Sequence, residues 1–262
     1  MLDLQIYIVF HDNFDINNYF ILPHNKKYIT FYGVNPKQSS FMNNNYNNNN
    51  NNNNNIIYEF DLPIYCPFYQ FNKYNESSAL YHLFINKLYV KKRWIGLFQY
   101  DMVFQKGFFL DIEKNTPNPK TIFYLNYFIN PRLYFKEGLR GILYSYPGFE
   151  AALPYFNTYF KTNFTIYDLN TMPLCNAFII HRNLFETMMN WLMPYFVQIY
   201  NKEELVSHKI DGTPAFINPG HLLEVYTGLF LGLHIKMGYK AVKLNCKHDH
   251  NIKKRLGQRL FP

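Results

Sequence analysis

Apolar runs that end in polar side chains recur along this chain. The first is Leu4–Phe10, which is followed by His11. The clearest is Trp94–Phe98, which ends in Gln99-Tyr100-Asp101. Such runs are typical of central strands that are buried on both faces, and ligands of open α/β sheets bind at the carboxyl ends of strands. We therefore expect a metal-bound or sugar-bearing ligand to meet Asp101. His11 could contact a nucleobase or ribose, and an ordinary loop histidine fits its position as well.

The remaining pattern predicts further strands and three helices. Strands are expected at Tyr28–Val34, Met172–Ile180 and Ala241–Leu244, and helices at Asn75–Lys87, from Asn183, which caps its helix, and from Asn218-Pro219 onward. Prolines and aromatic residues between Lys114 and Asn170 predict short helices and loops that cover one side of the sheet. The order of elements predicts an α/β fold with appended covering segments.

An asparagine tract interrupts this pattern. Residues 43–55 contain almost only asparagine and cannot bury apolar area, which predicts a disordered surface insertion. We expect it to lie inside a single domain of residues 1–245, which is followed by a basic C-terminal tail of residues 246–262.

The net charge of +8 favours an anionic partner such as a nucleotide diphosphate, a phospholipid surface or a nucleic acid. No basic cluster is interleaved with a nucleic-acid motif, so no nucleic-acid partner is expected. The basic tail, with Lys253, Lys254, Arg255 and Arg259, could also make peripheral contact with a membrane. The sequence contains neither a P-loop nor a dinucleotide fingerprint.

Three cysteines without CxxC spacing argue for a reducing compartment. The amino terminus lacks the cationic start of a signal peptide, and no stretch reaches the roughly 18 apolar residues of a membrane-spanning helix. These features predict a soluble cytoplasmic protein.

Some side-chain patterns could carry chemistry. His221 and Glu224 are spaced to share one helix face, where they can act together, and a solvated helix face is the equal alternative. Asp111-Ile112-Glu113 resembles a metal-binding acidic pair, but so short a pattern commonly arises by chance. Cys246, His248 and His250 alternate in a way that could suit a metal. They lack a second ligand pair at zinc-finger spacing, so a site without metal is the favoured interpretation.

Several segments together resemble a known family. Ile6–Asp12 is similar to its opening strand IxVxxHK, Glu76–Lys87 to its helix ELTALYWxWKN, and Trp94–Phe104 to its strand YIGLxHYRRYF. Asn176–Phe196 resembles NMFIMxKxxFxxYxxWLFPIL, and Leu223-Glu224-Val225 resembles the ERL of its late helix. The family is glycosyltransferase-like, occurs in bacterial capsule and lipopolysaccharide gene clusters, and is related to transferases of the GT-A fold. The asparagine tract and residue bias also resemble proteins of giant DNA viruses of amoebae, which implies the host cytoplasm or a viral factory as the location.

This sequence departs from the family pattern where HYRR is expected. Gln99 replaces the histidine and Asp101 replaces an arginine, while His82 and Val225 replace a tryptophan and an arginine elsewhere. The family's arginines would meet the donor phosphates without a metal. Asp101 therefore implies either a divalent cation, Mn²⁺ or Mg²⁺, or the loss of that contact.

The resemblance implies a GT-A-like (Rossmann-like) mixed sheet flanked by helices and a nucleotide-sugar-dependent glycosyltransferase. His11, Glu76, Gln99 and Tyr100 would bind the nucleotide-sugar donor, and Asp101 would hold the metal. Glu224 would be the catalytic base. Asn176 and His221 would contact a glycan or glycolipid acceptor. The alternative is a non-catalytic carbohydrate-binding or virion-associated protein that retains the transferase fold.

Overall fold

The computed structural model describes residues 2–11, 19, 21–34, 55–71, 74, 76–125, 128–129, 149–169, 172–173, 176–201, 207–210, 213–216 and 219–249. The strands in chain order are β1 (Leu4–Phe10), β2 (Ile29–Gly33), β3 (Ile56–Tyr58), β4 (Trp94–Gln99), β5 (Met102–Phe104), β6 (Thr121–Tyr124), β7 (Phe128–Ile129), β8 (Met172–Pro173), β9 (Phe178–His181), β10 (Ser207–Ile210), β11 (Thr213–Phe216), β12 (Lys240–Lys243) and β13 (Cys246–His248). The α-helices are α1 (Phe68–Phe71), α2 (Glu76–Ile85), α3 (Phe108–Asn115), α4 (Phe149–Phe160), α5 (Arg182–Asn201) and α6 (Pro219–Lys236).

The centre of the fold is a seven-stranded sheet in the order β12-β6-β9-β4-β1-β2-β3. Strand β9 is antiparallel to both of its neighbours, and the other adjacent strands run parallel. Helices α2, α4, α5 and α6 contribute to the core on one face, while α3 and the 3₁₀ helix Pro23–Tyr28 contribute to the core on the other. The predicted mixed α/β sheet flanked by helices is confirmed.

The apolar runs are central strands because both of their faces are covered. In β1, Tyr7 and Val9 pack into the core under α2 and α5, whereas Ile6 and Ile8 pack into the core under α3. Each of these four side chains is buried. A strand buried on both faces favours apolar residues at successive positions, which accounts for the run Ile6–Phe10.

Strand β6 was not expected. Residues 114–170 were predicted to form only short helices and loops, yet Thr121–Tyr124 lies within the sheet between β9 and β12. Four residues are too few to show a period, and the pairing partners of β6 are distant in sequence.

The apolar segment Phe108–Glu113 is the helix α3, where residues two apart point in different directions. Asp111 and Glu113 therefore do not form a paired metal site.

The predicted helix starts have different outcomes. Helix α6 begins at Pro219 as predicted. Helix α5 begins at Arg182, so the prediction that Asn183 caps it is wrong. The backbone N–H of Asn183 instead donates to Nδ1 of His181 at 3.3 Å. Burial, and then the charges of Arg182 and Arg93, lower the pKa of His181, which keeps the ring neutral and able to accept.

The predicted insertion and tail lie largely outside the described residues. Asn55, the last residue of the asparagine tract, accepts a hydrogen bond from the backbone N–H of Phe31 at 2.9 Å and leads into β3. Cys246–His248, which begins the segment assigned to the tail, pairs with β5. None of the helices in the described ranges has both the length and the apolar character that crossing a bilayer requires.

His234 is a buried histidine in the last turn of α6. Its ring stacks on Phe230 with centroids 4.0 Å apart, and it meets the rings of Phe156 and Phe160 edge-on. Its Nδ1 lies 2.8 Å from the carbonyl oxygen of Phe230. Burial lowers the pKa of His234 to about 4, and the contact with the Phe230 carbonyl only partly opposes that effect.

We expect the His234→Phe substitution to weaken the pH dependence of stability between about pH 6.5 and 4. In the wild type, the unfolded chain binds a proton at His234 in this window and the folded chain does not. The contribution of neutral His234 to the free energy of unfolding is therefore complete above this pH window. As the pH drops through the window, the free energy of unfolding falls by up to about 3 kcal/mol. Urea unfolding at a series of pH values measures this slope. His24 is exposed, so His24→Gln should keep the wild-type slope, and an unchanged slope in His234→Phe would contradict the assignment.

Candidate functional site

The pairing of β1 with β4 brings their polar carboxyl ends together. Val9 pairs with Gln99, and the backbone N–H of Tyr100 donates to the carbonyl of Val9 at 2.9 Å. This register places His11 beside Tyr100, with their rings perpendicular and their centroids 5.1 Å apart. Tyr100 is buried, and its carbonyl accepts a hydrogen bond from the Tyr19 hydroxyl. Two residues predicted to bind the donor are therefore in contact.

Glu76 joins this pair from the start of α2. Its Oε1 lies 3.7 Å from Nδ1 of His11. The two side chains are 16% and 39% exposed respectively, so a ligand can reach both from solvent. A carboxylate in the first turn of a helix is stabilised by the helix dipole, which favours this placement. Gln99, the last residue of β4, is half-buried at the same edge.

Asp101 contacts a histidine from the C-terminal strand. Oδ2 of Asp101 lies 3.0 Å from Nε2 of His248, and each side chain is 15% exposed. Strand β13 reaches Asp101 because it pairs antiparallel with β5, and the backbone N–H of Asp249 donates to the carbonyl of Asp101 at 2.8 Å. The other carboxylate oxygen, Oδ1, is buried and has no hydrogen-bond partner among the described residues.

The Asp101 carboxylate is the kind of ligand that a partly hydrated divalent cation uses. A buried carboxylate oxygen without a partner is costly, and a metal ion would satisfy it. The described residues contain no group of three or more His, Cys, Asp or Glu side chains that could hold a metal. Two protein ligands are too few for a closed structural zinc site. Mg²⁺ and Mn²⁺ prefer carboxylate oxygens together with water and substrate phosphates, so Asp101 is the ligand that would suit them.

Asn176 connects to α2 and α6 through Ser77. Asn176 has a left-handed backbone (φ 46°), and its Nδ2 donates to Oγ of Ser77 at 3.3 Å. The Ser77 hydroxyl donates to the carbonyl of Gly220 at 3.1 Å. Glu224 is half-buried one turn beyond Gly220. The first turn of α2 thus links the predicted donor side at Glu76 with the predicted acceptor side at Asn176 and the start of α6, where His221 also lies.

Two residues of this arrangement were missed from the sequence. His248 belonged to an alternating Cys246-His248-His250 pattern that was interpreted as a site without metal, because its partner Asp101 is distant in sequence. Ser77 carried no signal in the sequence. His82, which stands where the family has tryptophan, is buried next to Glu59 and accepts from the backbone N–H of Cys66 at 2.9 Å, so it fills a structural role.

A cavity of about 420 Å³ lies apart from these residues. It is formed by the 3₁₀ helix Pro23–Tyr28 and the first turn of α3, with Gln105 and Lys106 at its edge. Glu113 of the acidic pattern Asp111-Ile112-Glu113 lines it, but none of the residues predicted to bind donor or acceptor does. We place the candidate site at the carboxyl edge of the sheet because the polar contacts described above occur there.

The sheet order and its flanking helices define a GT-A-like α/β fold. The chain is similar in structure to the apo form of the bifunctional glycosyltransferase WbbM, with a TM-score of 0.53 and 14% sequence identity. The alignment covers 95% of this chain and 45% of WbbM, so the chain spans less than half the length of that protein. No protein-family model and no curated protein matches the sequence. The likeness confirms the glycosyltransferase-like fold, and the capsule-cluster family and viral origin stay predictions.

We expect Ser77→Ala to destabilise the fold by about 1–3 kcal/mol, because it leaves the Gly220 carbonyl and the Asn176 amide without their hydroxyl partner. Urea unfolding at neutral pH measures this change. Thr158→Ala is the matched control, since the Thr158 hydroxyl is exposed and donates only to Pro154 of its own helix. Equal stability of the two variants would show that the Ser77 link contributes little.

Proposed function

We propose that this protein is a glycosyltransferase that moves a sugar from a nucleotide-diphosphate donor to a hydroxyl group of a glycan or glycolipid acceptor. The observation that carries the proposal is that His11 contacts both Glu76 and Tyr100 at the carboxyl edge of a GT-A-like sheet, where Asp101 follows Tyr100 in the chain. Ligands of open α/β sheets bind at this edge, where the strand ends supply polar groups next to the hydrophobic core.

His11, Glu76, Gln99 and Tyr100 would bind the nucleoside part of the donor. The His11 imidazole has both a donor and an acceptor nitrogen, and the Glu76 carboxylate accepts, so together they match ribose hydroxyls or a base edge. Their contact with each other fixes both side chains before the ligand arrives, which lowers the entropic cost of binding. Tyr100 packs edge-on against the His11 ring and so helps to fix its orientation.

Asp101 and His248 would hold Mn²⁺ or Mg²⁺ next to the diphosphate. Among the described residues, Oδ1 of Asp101 and a nitrogen of His248 would be its ligands. When bound, such a cation neutralises charge on the departing diphosphate as a Lewis acid. The backbone contact between Asp249 and Asp101 keeps β13, and therefore His248, at the end of β4.

Glu224 would take the proton of the acceptor if transfer inverts the sugar configuration. The acceptor oxygen then forms a bond to the anomeric carbon while the bond to the diphosphate breaks, and the nucleoside diphosphate leaves. Asn176 presents a buried amide oxygen that has no hydrogen-bond partner among the described residues, and an acceptor hydroxyl would satisfy it. His221, in the first turn of α6, completes the proposed acceptor side.

We expect Asp101→Asn to lower metal-dependent transfer or donor hydrolysis by more than about 100-fold, because an amide is a weaker ligand than a carboxylate. The measurement is the release of nucleoside diphosphate from a panel of nucleotide sugars with Mn²⁺, together with calorimetry of Mn²⁺ alone. His248→Gln should weaken Mn²⁺ binding in the same way. Asp111→Asn, on α3, is the control that should keep wild-type turnover, and unchanged turnover in Asp101→Asn would remove Asp101 from the mechanism.

We expect Glu224→Gln to lower kcat by about 10²–10⁴-fold while donor binding is retained, because only the general base is lost. Turnover on an accepted donor gives kcat, and calorimetry gives the affinity for that donor. Glu113→Gln, an exposed carboxylate on α3, is the matched control. A Glu224→Gln variant with wild-type kcat would exclude the glutamate as the base.

The second candidate function is a non-catalytic carbohydrate-binding or virion-associated protein with the same fold. It is favoured by Gln99 and Asp101, which replace the histidine and arginine of the family pattern, and by the contact that already engages Asp101 with His248. Calorimetry separates the two candidates. Binding of a nucleotide sugar in the presence of Mn²⁺ supports the transferase, and the absence of binding to every donor supports the alternative.

A further inference from the structure

The amino edge of the sheet, opposite to His11 and Asp101, is lined with cations. Six of the seven strands run in one direction and β9 runs in the other. The residues that precede the six strands therefore lie at the same edge as the residues that follow β9. This edge collects basic residues that are scattered along the sequence.

The centre of the edge holds Lys91, Lys92 and Arg93, which precede β4, and Arg182, which follows β9. The backbone N–H of Arg182 donates to the carbonyl of Arg93 at 2.7 Å, and its Nη1 donates to the carbonyl of Val90 at 2.8 Å. Lys91 and Arg93 are exposed. These contacts place the two basic segments side by side.

The basic strip continues to both sides of this centre. Lys240 and Lys120 adjoin each other, because the backbone N–H of Lys240 donates to the carbonyl of Lys120 at 2.8 Å. Both side chains are exposed, and Nζ of Lys240 also contacts Asn115 at 2.7 Å. On the other side, Lys26 and Lys27 are exposed just before β2.

Carboxylates neutralise the strip only in part. Within the described ranges, Asp3 forms an ion pair with Lys92 at 3.9 Å. Asp168 pairs at 3.3 Å with Lys236, which ends α6 shortly before β12 and so also lies near this edge. Both pairs are partly exposed, so they are screened by salt. The edge therefore keeps a positive charge, whereas the carboxyl edge carries Glu76 and Asp101.

Exposed aliphatic side chains stand among the cations. Val90 is 42% exposed and directly precedes Lys91, and Met237 is 43% exposed and follows Lys236. Aliphatic side chains flanked by lysines suit the boundary between lipid headgroups and acyl chains. The exposed ring of Tyr167, next to Asp168, would suit either a headgroup boundary or base stacking. The exposed aliphatic side chains of Val90 and Met237 therefore favour a lipid surface over single-stranded nucleic acid.

We propose that the amino edge of the sheet is a docking surface for a bilayer that contains anionic phospholipids. When this edge is docked, the candidate site faces away from the bilayer. It lies about 20 Å from the docked edge, which is the length of a seven-residue strand. A bound acceptor would then be a chain that extends from the membrane surface, or one that is free of the membrane. The docking itself does not depend on transferase activity.

Vesicle flotation of the full chain tests the proposal. We expect the wild type to bind vesicles of phosphatidylcholine with phosphatidylglycerol, to ignore phosphatidylcholine alone, and to release at high salt. The triple substitution Lys91→Gln, Lys120→Gln and Lys240→Gln should weaken the partition coefficient by roughly 100-fold. The matched control removes three exposed lysines from elsewhere, with Lys106→Gln, Lys243→Gln and Lys247→Gln, and should bind as the wild type does. Thermal unfolding confirms that both variants fold.

Further comparisons decide the origin of any binding. Val90→Ser with Met237→Ser keeps the charge and should still weaken binding, if the aliphatic side chains enter the bilayer. Equal losses in the edge and control variants would overturn the proposal, because binding would then follow net charge alone. Vesicle binding that is lost only when Lys253, Lys254 and Arg255 of the tail are replaced by glutamine would also overturn the proposal. RNA binding in fluorescence polarisation, without vesicle binding, would overturn it as well.

Discussion

The parallel pairing of β1 with β4 is the constraint on which the rest of this structure depends. Both strands are buried on both faces, so a slip of one residue would exchange every side chain between the two cores. Because the register is fixed, the polar ends of the strands are fixed as well. His11 and Tyr100 meet only because Val9 stands opposite Gln99. The geometry of the candidate site is thus a consequence of core packing.

The first turn of α2 connects the carboxyl edge of the sheet to neighbouring segments. Glu76 faces His11, Ser77 joins Asn176 to Gly220, and Ser78 donates to Glu59 at 3.1 Å. Buried polar groups in a helix are tolerated when each finds a partner, and here the partners come from four other segments. The helix therefore ties the carboxyl edge of the sheet to the start of α6. Oδ1 of Asp101 and Oδ1 of Asn176 remain without partners among the described residues, and they lie at the proposed metal and acceptor positions.

The sequence was sufficient where the signal is local and long. Leu4–Phe10 and Trp94–Gln99 could be predicted as buried strands, and the rule that ligands meet strand ends led from them to His11 and Asp101. It was insufficient where a feature depends on a distant partner. Strand β6 is recognisable only from its pairing with β9 and β12, and the His248 contact with Asp101 depends on the pairing of β13 with β5. No pattern within either segment carries that information.

The distribution of charge between the two edges bears on how a diphosphate could bind at all. In the described part of the chain, Glu76 and Asp101 make their ion-pair contacts with histidines, while a large share of the lysines and arginines lies at the opposite edge. A nucleoside diphosphate that approached these carboxylates would meet like charge at short range, which is strongly unfavourable where water is partly excluded. The family that the sequence resembles would use arginines to remove that repulsion, and Asp101 stands where that family has one of them. A donor bound at this edge would need positive charge beside the diphosphate, and the divalent cation that we propose at Asp101 and His248 would supply it there.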